Sequence, residues 1–327
     1  MILLRIFKDS RTLGILGLLV LSVAIFLKSF IHPGPLDGFV GMPFYRLIFG
    51  AIHTVPLIDR MVAFMLLWVM GYLLVRLGIS YVLLEQRSLM PGLFLLLFSA
   101  ALPASQQVSP ALVGAIFYLM AFNILFNVHD KPPDTLLAFS GSLVLALGCM
   151  FYLKLIWFVP LVWIGLGTLR TVSIRELLYP MVAMFLMFLF IFAWYWGVRN
   201  DAGGFVLLMR ENLAFKSAFQ TYHFSTYLYL GYLLILILIS SVYMVNRFQV
   251  RKTAAQLIYQ TMFYMFLAAI LFFTLISRFE PTSLIYIGFP LAFILSNYFH
   301  RRKNSWIHEL ALWICLGLLG YAQVMTP

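Results

Sequence analysis

A carboxylate at Asp37, followed by Arg46 and then by the adjacent Asp59 and Arg60, puts acid–base and anion-binding groups into one stretch of the sequence. An ionised carboxylate can take the proton of an attacking hydroxyl or hold a divalent cation, and a guanidinium presents a planar fork of donors that matches a phosphate. The same residue types recur downstream: Lys154 inside the apolar run from Phe151 to Trp157, Arg210 beside Glu211, and Arg278 two residues before Glu280. Asp37 is therefore the expected catalytic base, and Arg46, Lys154, Arg210 and Arg278 are the expected phosphate-binding cations. Asp59, Arg60, Glu211 and Glu280 are expected to support them. The adjacent pairs Asp59–Arg60 and Arg210–Glu211 also read as ordinary interfacial ion pairs.

These groups must be positioned by membrane-spanning elements. The chain has 327 residues, of which 63% are hydrophobic and 10% charged. A soluble domain carries roughly 25% charged residues, so a water-soluble fold has nowhere to put this much apolar surface. Apolar stretches of spanning length predict an all-α, polytopic transmembrane helix bundle of about 11 spans, with residues 1–327 forming a single integral membrane domain. Spans are expected at about Leu13–Ile31, Ile58–Ile79, Met90–Leu102 and Pro110–Val128. Further spans follow at Ile174–Gly197, Thr226–Val245, Ala255–Ser277, Thr282–Tyr298 and Trp306–Tyr321. The run from Thr135 to Thr168 is too long for one helix and splits at a turn around Met150–Lys154, which puts Lys154 where its amine can reach water or an outer-facing cavity. Two connections, 28–59 and 197–225, are long enough for short interfacial helices over the mouth of the bundle but too short for a separate core.

Orientation follows from Lys and Arg placement. Eight of them (Lys28, Arg46, Arg60, Lys154, Arg199, Arg210, Lys216 and Arg278) fall on one side of the predicted spans, and the other fourteen of the 22 fall on the side of the N-terminus. The positive-inside rule then makes the N-terminus cytoplasmic and puts both long connections outside. The net charge of +11 is accounted for by topology and anionic lipid, so no nucleic-acid partner is expected. Cys149 and Cys315 read as small buried hydrophobes, and Gly14, Gly17, Gly165 and Gly167 as residues that let helices approach. Neither a metal-ligand cluster nor a nucleotide-binding loop is present in the sequence; no cofactor is predicted, and a divalent cation at the carboxylates is left open.

Several stretches carry a resemblance. They are Arg5, Ile6, Phe7 and Lys8; Asp134, Thr135, Leu136 and Leu137 leading to Phe151 and Tyr152; and Trp163, Arg170, Arg175, Glu176, Leu177, Leu178, Tyr179 and Pro180. On these the chain resembles a family of uncharacterised multi-span inner-membrane proteins of the Bacteroidota. It is also distantly similar to the multi-span glycosyltransferases and polysaccharide polymerases that use polyprenyl-linked sugars. Their long first outer loop carries an acidic residue, a place that Asp37 matches, although a paired acidic motif directly after the first span and a large soluble domain are both missing here. The resemblance implies a membrane glycosyltransferase or polymerase-like protein of the bacterial inner membrane that acts on a lipid-linked glycan in cell-envelope assembly. Its expected partners are membrane lipids, a polyprenyl-phosphate-linked glycan and an envelope protein. The alternatives are a non-catalytic membrane subunit of an envelope secretion or assembly complex, and a transporter of a small solute or lipid.

Overall fold

In a computed structural model the described residues are 7–8, 12–34, 36, 41–81, 83–84, 88–129, 131, 136–198, 200–213, 223–245, 253–301 and 306–325. All regular structure among them is helical. In chain order the helices are α1 (Thr12–Ile31), α2 (Pro43–Phe49), α3 (Pro56–Ser80), α4 (Met90–Ser99), α5 (Pro110–Phe126), α6 (Leu136–Cys149), α7 (Val159–Leu169) and α8 (Ile174–Gly197). After these come α9 (Ala202–Leu213), α10 (Phe224–Val245), α11 (Thr253–Leu271), α12 (Ile285–Arg301) and α13 (Trp306–Met325). The helices fall where the apolar stretches predict them, and the break in the long run from Thr135 lies at Met150–Tyr152 before a 3₁₀ segment, Leu153–Phe158. Among the described residues seven apolar helical segments are long enough to cross a membrane, and four shorter apolar helices accompany them.

Helix starts follow local chemistry. Pro43, Pro56 and Pro110 sit in the first turns of α2, α3 and α5, where the missing N–H costs nothing. The Ser109 hydroxyl accepts from Leu112 N at 3.1 Å, and Ser173 with Glu176 forms a capping box at the start of α8.

Helices α4, α5 and α12 form the centre. All ten residues of α4 are buried, as is 94% of the span containing α12, whereas α1, α8 and α13 turn most of their surface outward. Helix α4 packs on α3 and α12, α5 on α6, and α6 on α8, while α10 lies against α12 and α13. At ten residues α4 is only about 15 Å long, half a bilayer core. Such a half-length helix with irregular backbone beyond it is tolerated because it is enclosed by protein. Its orphan C-terminal carbonyl at Ala100 is satisfied by the Gln106 amide at 2.8 Å, and the Gln106 carbonyl accepts from the Ser29 hydroxyl of α1.

Candidate functional site

Two charged clusters stand at one end of the bundle. This end is held together by contacts between the ends of α1 and α13 and between the joints before α5 and α12: Lys28 Nζ donates to Gln323 O at 3.0 Å and Ser105 Oγ to Pro281 O at 3.4 Å.

The first cluster is built on α2 and the first turn of α3. Pro56 starts α3 so that Asp59 falls in its first turn, fully buried, and the carboxylate is met by groups from two other segments. Val108 N donates to Asp59 Oδ2 at 3.0 Å, and His53 Nδ1 lies 2.8 Å from Oδ1. On the far side of the imidazole, Nε2 is 2.7 Å from the Tyr45 hydroxyl, which also donates to Val108 O at 2.9 Å. Tyr45 is buried on α2, and burial together with the nearby Asp59 charge pushes its phenol above the ordinary tyrosine range. Arg60 is buried beside Asp59. The sequence reading picked out Asp59 and Arg60 but not Tyr45 or the part played by His53. The available signal was Tyr45, His53 and Asp59 following one another around a proline that starts a helix.

The second cluster is centred on Lys154. The Lys154 amine is not directed at open water: the side chain is 11% exposed and donates to Glu280 Oε2 at 3.1 Å. Thr282 Oγ1 donates to the other Glu280 oxygen at 2.8 Å. Glu280 is delivered by an unusual joint. Helix α11 ends in a π-helical turn, Phe272–Ile276, and Arg278 and Phe279 then adopt left-handed φ values of 46° and 64°. Phe279 N returns to Phe273 O at 3.0 Å, so Arg278 occupies a helix-terminating position that glycine ordinarily fills. Non-glycine residues in this region cost on the order of 1 kcal/mol or more each, and such strain concentrates at ligand sites and switches.

That joint borders an apolar cavity of about 590 Å³ between α10, α11 and α12. Its wall runs from Tyr227 to Ser241 along α10 and includes Phe263, Phe266 and Ile270 of α11; Phe279 and Pro281, on either side of Glu280, line it too.

The remaining predicted site residues are distributed as follows. Asp37 lies outside the described residues. Arg46 is exposed on α2, Arg210 and Glu211 are exposed on α9, and Arg278 is exposed at its joint. The fold brings Lys154 to Glu280, and α9 packs against the segment that carries Lys154. It joins α2 to the neighbourhood of Lys154 through Phe44, whose ring contacts Phe151 at 6.2 Å between centroids. At the opposite end of the bundle Glu176 is fully buried and paired with Arg170, whose Nη1 also donates to Lys131 O at 3.0 Å. The His129 ring donates to Leu169 O at 3.1 Å, so this end is tied off by its own polar joints. Cys149 and Cys315 are both buried thiols. Among the described residues no group of three or more His, Cys, Asp or Glu is arranged to hold a metal. The chain matches no protein family, no curated protein and no solved structure.

Proposed function

We propose that the protein is an inner-membrane enzyme of bacterial cell-envelope assembly, a glycosyltransferase or polymerase acting on a polyprenyl-phosphate-linked glycan at the outer face. The observation that carries this reading is the apolar cavity of about 590 Å³ that is lined in part by Phe279 and Pro281, on either side of Glu280, in the joint where Arg278 and Phe279 are strained. A substrate with a long hydrocarbon tail and an anionic head has the matching polarity: the tail lies along α10 and α11, and the phosphate meets Lys154 and Arg278. A phosphate entering there competes with Glu280 for the Lys154 amine, and Arg46 and Arg210 add positive charge from α2 and α9. In the transfer step the acceptor oxygen bonds to the anomeric carbon as the carbon–oxygen bond to the phosphate breaks. The electron pair leaves with the phosphate and Asp37 takes the hydroxyl proton. The resemblance to Bacteroidota inner-membrane proteins and to polyprenyl-sugar enzymes supports the same reading.

The topology belongs to this proposal. Counting the four short apolar helices with the seven long ones gives eleven crossings, with a cytoplasmic N-terminus and with α2 and α9 as interfacial helices outside.

The test is binding of a photoreactive polyprenyl phosphate to the purified protein in nanodiscs, beside the polyprenyl alcohol that lacks the phosphate. The phosphate form should label α10 and α11 and be excluded by Ile270→Trp. Arg278→Ala should weaken binding by about 1–3 kcal/mol, the value of one charge-assisted contact. With glycolipid and acceptor supplied, Asp37→Asn should abolish transfer and leave lipid binding intact. Equal labelling by phosphate and alcohol, or labelling that ignores the tryptophan, would overturn the lipid-phosphate reading. Full turnover by Asp37→Asn would overturn only the assignment of the base.

A further inference from the structure

We propose that the Tyr152 and Ser277 hydroxyls are a second seat for the Glu280 carboxylate, which frees Lys154 for an anionic head group without leaving a mostly buried carboxylate bare. That anion is taken to be a lipid phosphate, which rests on the function proposed above, whereas the seat is a property of the joint alone. The side-chain oxygens of Tyr152 and Ser277 are both buried, and neither has a hydrogen-bond partner among the described residues. The polar groups that act on the Tyr152 phenol are the Glu280 carboxylate and the Ser277 hydroxyl. Folded chains carry few buried hydroxyls without partners, so two beside one carboxylate mark a place where that carboxylate can be received.

Glu280 is held close to both hydroxyls. Its N–H donates to Ser277 O at 3.1 Å, so Ser277 and Glu280 bracket the turn in which Arg278 and Phe279 are left-handed. Tyr152 stands two residues before Lys154, whose amine is 6.0 Å from the centre of the phenol ring, so the two seats are neighbours. Thr282 Oγ1 donates to Glu280 Oε1 at 2.8 Å, and Lys154 Nζ to Oε2 at 3.1 Å. A carboxylate oxygen accepts more than one hydrogen bond, so Oε2 alone needs to change partners while Thr282 keeps the other. Ser277 is fully buried, Tyr152 is buried, and neither lines the apolar cavity, so the hydroxyls serve the carboxylate and not the lipid.

With the ion pair closed, Lys154 is occupied and both hydroxyls lack an acceptor. Drawing the amine away with nothing in return leaves an uncompensated carboxylate, whose side chain is only 23% exposed. Moving Oε2 onto the hydroxyls replaces one charge-assisted bond with two and satisfies two orphaned donors. A neutral head group gives the amine no charge in exchange for the carboxylate, so it leaves the pair closed. Tyr152 and Ser277 are therefore positioning residues: they act through Glu280 and bias the site toward an anion.

A ligand-free cycle tests the seat by itself. Lys154→Met removes the amine, and at about pH 8, where a carboxylate is ionised, Glu280 should then sit on the hydroxyls. Tyr152→Phe should leave the thermal midpoint unchanged or raise it in the unmodified protein, where the hydroxyl has no partner. In Lys154→Met it should lower the midpoint by about 3 °C, because there it removes a bond to a charge. Equal effects in the two backgrounds would overturn the seat. A second cycle measures polyprenyl phosphate binding in nanodiscs. Tyr152→Phe and Ser277→Ala should each weaken it about tenfold and leave polyprenyl alcohol binding unchanged; in Glu280→Gln, with no carboxylate to reseat, the loss should vanish. A loss that persists in Glu280→Gln would mean that the hydroxyls touch the phosphate themselves, and would overturn the proposal, as would no loss in either background. Phosphate and alcohol bound alike by the unmodified protein would remove the lipid-phosphate reading, and the ligand-free cycle would still decide the seat. The binding cycle keeps Lys154, so it decides if Lys154→Met does not fold.

Discussion

Arg278 combines two roles that a single substitution can separate. Its backbone lies in the left-handed region at φ 46°, where a side chain is strained and glycine is not. It precedes Phe279, which lines the apolar cavity, and its side chain is exposed. Replacing it with glycine removes both the strain and the charge. Arg278→Gly should therefore raise thermal stability by up to about 1 kcal/mol while weakening polyprenyl-phosphate binding. Unfolding followed in detergent, run beside the lipid titration, checks both directions; a variant that binds normally would show that the strained arginine is not there for its charge. How a residue is used was only partly legible at this scale. Lys154 drew notice because a lysine inside an apolar run needs a partner, but that partner is Glu280, 126 residues away, and no local pattern points to it.

At the scale of elements, α5 and α6 pack closely enough to require glycine. A Cβ built on Gly148 would lie 2.8 Å from Phe117 Cβ and 2.8 Å from Leu155 Cδ1, and one on Gly141 would lie 2.9 Å from Leu125 Cγ. The two glycines are seven residues apart, two helical turns, and so share the face that meets α5. Gly148→Leu should destabilise the bundle by about 1–3 kcal/mol or more through overpacking, measurable as a lower midpoint in thermal unfolding. An unchanged midpoint would mean that α6 can shift outward at no cost. The glycines singled out in the sequence behave unevenly: Gly165 meets Thr261 Cγ2 at 3.4 Å, and Gly167 has nothing within 4 Å. Glycine spacing alone does not say which face is turned toward a neighbour.

For the whole molecule the proposed eleven crossings put residue 203 and Pro327 outside and Arg5 and Arg301 inside. Single cysteines at 203 and 327, on a background with Cys149 and Cys315 replaced, should react with an impermeant thiol reagent added to intact cells. A cysteine at 301 should react only after the membrane is opened. Residues 203 and 327 both protected in intact cells would sink the arrangement. The short α4 is the element on which the count turns, since its ten residues span only about half a bilayer core and the protein-enclosed backbone beyond must complete the crossing.

Helix positions were legible in the sequence because each apolar run must satisfy its own backbone within the chain segment that carries it, a local requirement that local composition can report. That is why the helices begin and end close to the predicted bounds, and why the break near Met150 was visible from the length of the run and the lysine near its middle. Pairings were decided only by tertiary structure. Asp59 receives its hydrogen bond from Val108, 49 residues away, and Tyr45 reaches the same residue across 63. A hydrogen bond is a statement about two positions in space, and the sequence fixes such positions only through the packing of helices distant along the chain.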